Sequence, residues 1–253
     1  AVATSIALNV VEPKGSGMGG GGFMTIALAN GTKACLDYRE TAVQSTKIIN
    51  KSLKSSDYKR PMTGGKAVCT PGFIRGMELA LKKYGTMSFR EVAEPAIKIA
   101  EDGFVFHDTQ NAALMDYYEN IAKYNDLSRI PFMVEGMPAG GGALIKQPAL
   151  AKALKLIGEK GADAFYKGEI GQAVVAAVNR TGGNMTMSDL GKYQPVERAP
   201  ISGNYRGYKI YTMPPASSGG IGVLELLYIM ENFDLGKYQA GSPEYANLFA
   251  EAS

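Results

Sequence analysis

"GSGMGGGGFMTIALANGTKACLDYRE" runs from Gly15 to Glu40. Gly15, Gly17 and Gly20 satisfy the spacing G-x-G-x-x-G, and Asp37 lies about where a ribose-binding acid would follow. A dinucleotide site also needs a helix directly after the glycines, with its N-terminal dipole facing the pyrophosphate. Here the glycines are followed by "FMTIALA" (Phe23 to Ala29), which is apolar and strand-like. Asn30-Gly31 is a strong hairpin-turn signal. "ACLDYRE" (Ala34 to Glu40) then reads as the return strand. A hairpin therefore fills the space a nucleotide-binding helix would need. No Gly-Lys-Ser/Thr follows the glycines, so a P-loop is excluded too.

Reading outward, "AVATSIALNVV" begins at Ala1 as an apolar, helix-like run with no cap before it. Val43 to Val68 reads as polar and irregular. "CTPGF" (Cys69 to Phe73) opens a helical stretch through Tyr84, and "SFRE" (Ser88 to Glu91) fits a capping box. Phe89, Val92, Ala96 and Ile99 follow at helical spacing, Gly103 suits the stop, and Pro95 is expected to kink this helix or trim its first turns. Asp108 to Ala122 reads as one helix and "EGMPAGGGA" (Glu135 to Ala143) as a flexible loop.

Pro148 to Gly158 is helical, with Leu150, Leu154 and Ile157 on one face. "GEIGQAVVAAVNRTGG" gives another helix ended by Gly182-Gly183, and "MSDLGKY" a short capped turn starting at Ser188. "YRGYKIYTM" (Tyr205 to Met213) reads as one strand, "PPASSGG" breaks it, and Ile221 to Phe233 is a buried-looking helix. Ser242 and Pro243 suit the cap and first turn of a last helix, which stops with no C-cap signal. Both ends thus read as interior to a longer chain. Helices are segregated from strands, so the class is α+β rather than a regular βαβ alternation.

The composition excludes several functions. The 253 residues carry a net charge of +3 with scattered lysines, so neither nucleic acid nor an acidic membrane is implied. No apolar run approaches the ~20 residues of a membrane span. Cys35, Cys69 and His107 are the whole stock of thiols and imidazole. That is too few for a structural zinc site or a disulfide framework, and both cysteines are expected to be small buried hydrophobes.

His107, in "FVFHDT", reads as a surface or capping residue, and no G-x-S-x-G accompanies it. Glu101 and Asp102 fall at a helix end and read as solvated. Ser217 to Gly220 reads either as a backbone anion nest or as a strand-to-helix turn with an N-cap serine. Arg39 closes an otherwise apolar strand. It can offer a planar fork of donors to a carboxylate, or it can pair with Asp37 or Glu40.

The ordered blocks "AVATSIALNVVEPKGSGMGGGGFM", "LDYRETA", "KYGTMSFREVAEPAIKIAEDGF" and "GGNMTMSDLGKYQPVERAPISGNYRGYKIYTMPPASSGG" resemble the large subunit of γ-glutamyltranspeptidases over nearly the whole chain. The resemblance implies an N-terminal nucleophile hydrolase fold, an αββα sandwich. Residues 1–253 would form a single domain, part of a large subunit, completed by the small subunit cut from the same precursor. It further implies that the small subunit's N-terminal threonine attacks a γ-glutamyl amide with its own α-amino group as base, so no cofactor or metal is expected.

No catalytic residue then lies in this chain, and Arg39, in "RETAV", matches the arginine that holds the donor's α-carboxylate. Val43 and Ala216 stand where the family usually has proline. Relatives in the family include cephalosporin acylases and a poly-γ-glutamate-processing enzyme, so the resemblance also admits an acylase or an inactive γ-glutamyl binder.

Overall fold

The computed structural model describes residues 1–43 and 62–253. Most of the polar stretch expected between Val43 and Val68 therefore lies outside the described residues. From the N-terminus the elements are α1 (Val2–Val11), β1 (Phe23–Ala27), β2 (Lys33–Asp37), α2 (Phe73–Tyr84) and α3 (Phe89–Asp102). Next come β3 (Phe104–Val105), α4 (Asp108–Asp116), α5 (Tyr118–Tyr124), β4 (Met133–Val134), β5 (Met137–Pro138) and β6 (Leu144–Ile145). Then follow α6 (Pro148–Lys160), α7 (Asp163–Tyr166), α8 (Glu169–Arg180) and α9 (Met187–Lys192). The chain ends with β7 (Val196–Arg198), β8 (Ile201–Tyr205), β9 (Tyr208–Thr212), α10 (Gly219–Met230) and α11 (Pro243–Ala252).

These elements form two compact units. One comprises Ala1–Gly22 and Tyr38–Pro195, the other Phe23–Asp37 and Val196–Ser253. The first unit is mostly helical. Its centre is α3, which presents Val92, Ala93, Ala96, Ile97 and Ala100 on one buried face. Three alanines on that face let neighbouring helices come close, and α1 and α6 pack against it. α6 contributes Ala151, Leu154 and Ile157, while Leu150 is only half-buried.

The end of α1 is tied down by two side chains. Gln147 donates to the Val10 carbonyl at 2.7 Å and Gln110 donates to that of Val11. Both carbonyls belong to the last turn, which has no intrahelical donors of its own. Phe106, Phe132, Ala139 and Ile145 make a smaller apolar cluster, with the two phenylalanine rings stacked at 5.7 Å.

The second unit contains the antiparallel sheet β1-β2-β7 and the hairpin β8-β9. Asp37 in β2 accepts from Arg198 in β7 at 2.9 Å. α10 packs on β8, where Gly203 leaves room for the Leu224 and Tyr228 side chains.

Most expected elements form, and the differences have local causes. The hairpin after the glycines is present, with Phe23 opposite Asp37 and Gly31 at φ 91°. β2 ends at Asp37, three residues earlier than expected, although Tyr38 still exchanges backbone hydrogen bonds with Gly22 in the same register. The helix expected over 108–122 breaks at Tyr117 (φ −108°, ψ 9°) into α4 and α5. The loop expected at 135–143 begins with a tight hairpin turn, Glu135 at φ 51° and Gly136 at φ 82°, and its Ala139 is buried.

The strand expected over 205–213 is two strands. Arg206 (φ 49°) and Gly207 (φ 83°) turn the chain back on itself. The cap expected at Ser188 is Thr186, whose hydroxyl accepts from the Asp189 N–H at 3.2 Å. Ser88 and Glu91 form the capping box as expected, and α3 runs from Phe89 through Pro95 without losing its first turn. Pro95 lies on the exposed side of α3.

Candidate functional site

The glycine run packs backbone against backbone. Gly22 and Tyr38 exchange hydrogen bonds, the Gly22 N–H to the Tyr38 carbonyl at 3.3 Å and the Tyr38 N–H to the Gly22 carbonyl at 2.9 Å. The Gly20 carbonyl accepts from the Gly72 and Phe73 N–H groups at the start of α2, each at 2.9 Å. The helix N-terminus nearest the glycines is thus occupied by the chain's own carbonyl rather than offered to a phosphate. A methyl group at Gly21 would run into the backbone of Tyr38, Arg39 and Glu40. Glycine here serves close approach to the segment carrying Arg39.

The Tyr38 ring anchors that segment from below. It is buried against Gly76 of α2 and meets Phe73 edge-on at 6.4 Å, while Gly72 leaves room for the Tyr38 carbonyl and the Tyr193 ring. Burial pushes its hydroxyl pKa up. Beyond Arg39, Thr41 and Thr70 exchange two backbone hydrogen bonds, at 3.2 and 2.7 Å. Between these clamps the Tyr193 hydroxyl donates to the Arg39 carbonyl at 2.8 Å.

Tyr193 is buried, and its ring stacks on Tyr166 at 5.8 Å and 13°. Tyr166 in turn donates to the Pro71 carbonyl at 3.0 Å and accepts from the Arg75 N–H at 3.3 Å. The Arg75 guanidinium lies 4.9 Å over its ring and binds Glu78 and Asp163. Burial raises the Tyr166 pKa strongly, so its hydroxyl stays protonated and able to donate.

The backbone of Arg39 is therefore pinned while its side chain reaches out. That side chain is 63% exposed, and its Nε lies 3.6 Å from a Glu40 carboxylate oxygen. A pair so exposed contributes roughly 0–1 kcal/mol, which leaves the guanidinium cheap to redirect toward a ligand. Of the two ion-pair partners anticipated for Arg39, Glu40 takes that place, whereas Asp37 pairs with Arg198.

The other candidate residues fall elsewhere. His107 is exposed at the N-cap of α4, where its backbone N–H donates to Gln110 at 3.0 Å. Glu101 pairs with Lys155 and Asp102 with Lys98, all solvated. Cys35 is buried as expected, but Cys69 is exposed, because the strand-like bridge at Thr70 turns it outward. At "SSGG" the Ser217 hydroxyl accepts from the Gly219 N–H at 3.3 Å, and Ser218 sits at the cap of α10 without a side-chain bond. Among the described residues no three His, Cys, Asp or Glu side chains gather as a metal site. No described helix is long and apolar enough to cross a membrane. Sequence reasoning missed Tyr193, Tyr166, Gly21 and Gly72, whose parts are set by contacts far along the chain.

A family model described as Gamma-glutamyltranspeptidase matches residues 1–253. The chain belongs to that family. It is 42% identical to the "Glutathione hydrolase proenzyme" of Escherichia coli strain K12 over 254 residues, covering all of this chain and 44% of that protein. It is 35% identical to the "Acylase ACY 1 proenzyme" of Pseudomonas sp. strain SE83, covering all of this chain and 46% of that one. The chain thus spans under half the length of these γ-glutamyltranspeptidase-family relatives.

The crystal structure of Helicobacter pylori gamma-glutamyltranspeptidase superposes with a TM-score of 0.90 at 37% identity, covering 99% of this chain and 72% of the other. The fold is that of the N-terminal nucleophile hydrolases in the γ-glutamyltranspeptidase family, as the resemblance implied. The relatives' names as proenzymes fit a precursor processed into subunits.

Proposed function

We propose that this chain is the large-subunit part of an enzyme that transfers or hydrolyses γ-glutamyl groups of glutathione-like amides, and that Arg39 holds the donor's α-carboxylate. One observation carries this reading: an exposed guanidinium projects from a backbone fixed on both sides and at its own carbonyl. A fork of donors that needs little ordering on binding suits a planar carboxylate. The names of the relatives support the reaction class.

In this reading a small subunit from the same precursor supplies the N-terminal threonine. Its hydroxyl oxygen attacks the γ-carbonyl carbon, and its α-amino group takes the hydroxyl proton and passes it to the departing amine. Water or an acceptor amine then attacks the acyl-threonine ester and regenerates the hydroxyl. The residues of this chain position the donor rather than react with it. A fixed anchor on the α-carboxylate places the γ-carbonyl at a set distance, which is where orientation lowers the barrier.

A second reading, an acylase for a non-glutamyl acyl group, draws on the similarity to the Pseudomonas acylase. The retained Arg39 favours the first, since a donor without an α-carboxylate has no use for the fork. The experiment is amine release by the complete two-subunit protein from a γ-glutamyl anilide, from its α-carboxamide analogue and from a cephalosporin whose acyl side chain carries no carboxylate. Fast release from the first alone is expected. Release from the cephalosporin alone would establish the acylase reading, and binding of the anilide without amine release would make the protein an inactive γ-glutamyl binder.

A further inference from the structure

We propose that Tyr193 is a positioning residue for donor binding, acting through the Arg39 main chain, and that the Tyr166 and Arg75 side chains hold it in place. The inference deepens the reading of Arg39 as the carboxylate anchor and rests on it. Four observations connect. The Tyr193 hydroxyl donates to the Arg39 carbonyl at 2.8 Å, joining positions 154 residues apart. The Tyr193 ring is 4% exposed, so little water is available to replace that donor. Its ring lies nearly parallel on Tyr166, which is itself fully buried. Tyr166 is fixed at its hydroxyl by Pro71 and Arg75 and on its face by the Arg75 guanidinium.

The consequence is specific to one peptide group. The Arg39–Glu40 peptide stands between the Tyr38–Gly22 pair and the Thr41–Thr70 bridge. Those clamps fix the segment's ends, and between them the Arg39 carbonyl takes its hydrogen bond from the Tyr193 hydroxyl. The Tyr193 hydroxyl sets the plane and so sets the direction in which the Arg39 side chain leaves the backbone. A guanidinium reads a carboxylate through two parallel bonds, so a tilted base misaligns both.

Tyr193→Phe removes the hydroxyl and keeps the stacked ring. In the complete two-subunit protein the KM for a γ-glutamyl anilide should rise about tenfold, with kcat held, and the α-carboxamide analogue should be unaffected. In an Arg39→Ala background the same substitution should add nothing, because the group it aims is gone. Equal losses on both donors, the same factor in both backgrounds, or no change at all would each overturn the proposal and leave Tyr193 a packing residue.

If Tyr193→Phe does not accumulate as folded protein, Tyr166→Phe provides the second variant. It frees the ring beneath Tyr193 and should give the same donor selectivity at about threefold, and its absence would also overturn the proposal. Arg39→Ala measured alone separates the two levels. If it slows both donors equally, the anchor reading falls and this inference with it. If it discriminates while Tyr193→Phe does not, this inference alone falls.

Discussion

A methyl group added at Gly21 would stand 2.9 Å from the backbone nitrogen of Glu40 and closer still to the Tyr38 carbonyl oxygen. Both obstacles are main chain, so neither can swing aside. Gly21→Ala should cost about 1–3 kcal/mol of stability and displace the segment that carries Arg39. Gly19, two residues earlier in the same run, has nothing within 4 Å of such a methyl group. Gly19→Ala should leave stability unchanged or slightly raised. Thermal unfolding of the two variants side by side tests the claim, and equal melting temperatures would refute it.

Arg39→Ala should lower kcat/KM for a γ-glutamyl donor roughly tenfold to several hundredfold with the fold intact, the range expected for a charge-assisted bond shielded from water. Arg39→Lys keeps the charge and loses the fork, so it should recover part of that loss. An ion pair serving stability alone predicts a lower melting temperature and no dependence on the donor's α-carboxylate. Kinetics on paired carboxylate and carboxamide donors, with melting curves alongside, distinguish the two.

Acid should weaken the Arg75 cluster. Hydrogen bonds from Arg75 and then Lys167 hold the Asp163 carboxyl below its ordinary 3.8. The unfolded chain takes up the proton first as pH falls, so this contribution is complete above the ordinary value and is lost as pH drops through the folded one. The melting temperature of the parent protein should fall more steeply than that of Asp163→Asn between about pH 5 and about pH 2.5. Parallel curves over that range would rule out a role for the pair in acid stability.

Dialysis against a chelator, followed by removal of nucleotides, should leave the activity of the two-subunit protein unchanged. The proposed chemistry uses a hydroxyl, an amine and a guanidinium, and the glycine run is filled by backbone. Recovery of lost activity on adding back zinc or a nicotinamide dinucleotide would contradict it.

Much of this was legible locally. Asn30-Gly31 announced the first hairpin and Ser88 with Glu91 the start of α3, because each signal is complete within four residues. The second hairpin was missed because Arg206 takes a positive φ that arginine seldom adopts, inside a run of strand-forming residues. Arg39 could be singled out from its strand and its family match. Its supports could not: Tyr193 reaches it across 154 residues, Gly72 makes room for the Tyr193 ring and Gly76 for the Tyr38 ring. Contacts of that kind leave no periodicity in the chain.

With Arg39 in the proposed role of anchor, its 3.6 Å separation from Glu40 also bears on how the donor arrives. A cation beside an anion is a dipole, and its field dies away faster with distance than that of a lone charge. Small anions in solution therefore gain little by gathering there, and a donor is not drawn in from afar. Capture depends on contact, with the carboxylate displacing one of a pair, so the association rate should vary weakly with ionic strength while the choice among anions stays sharp.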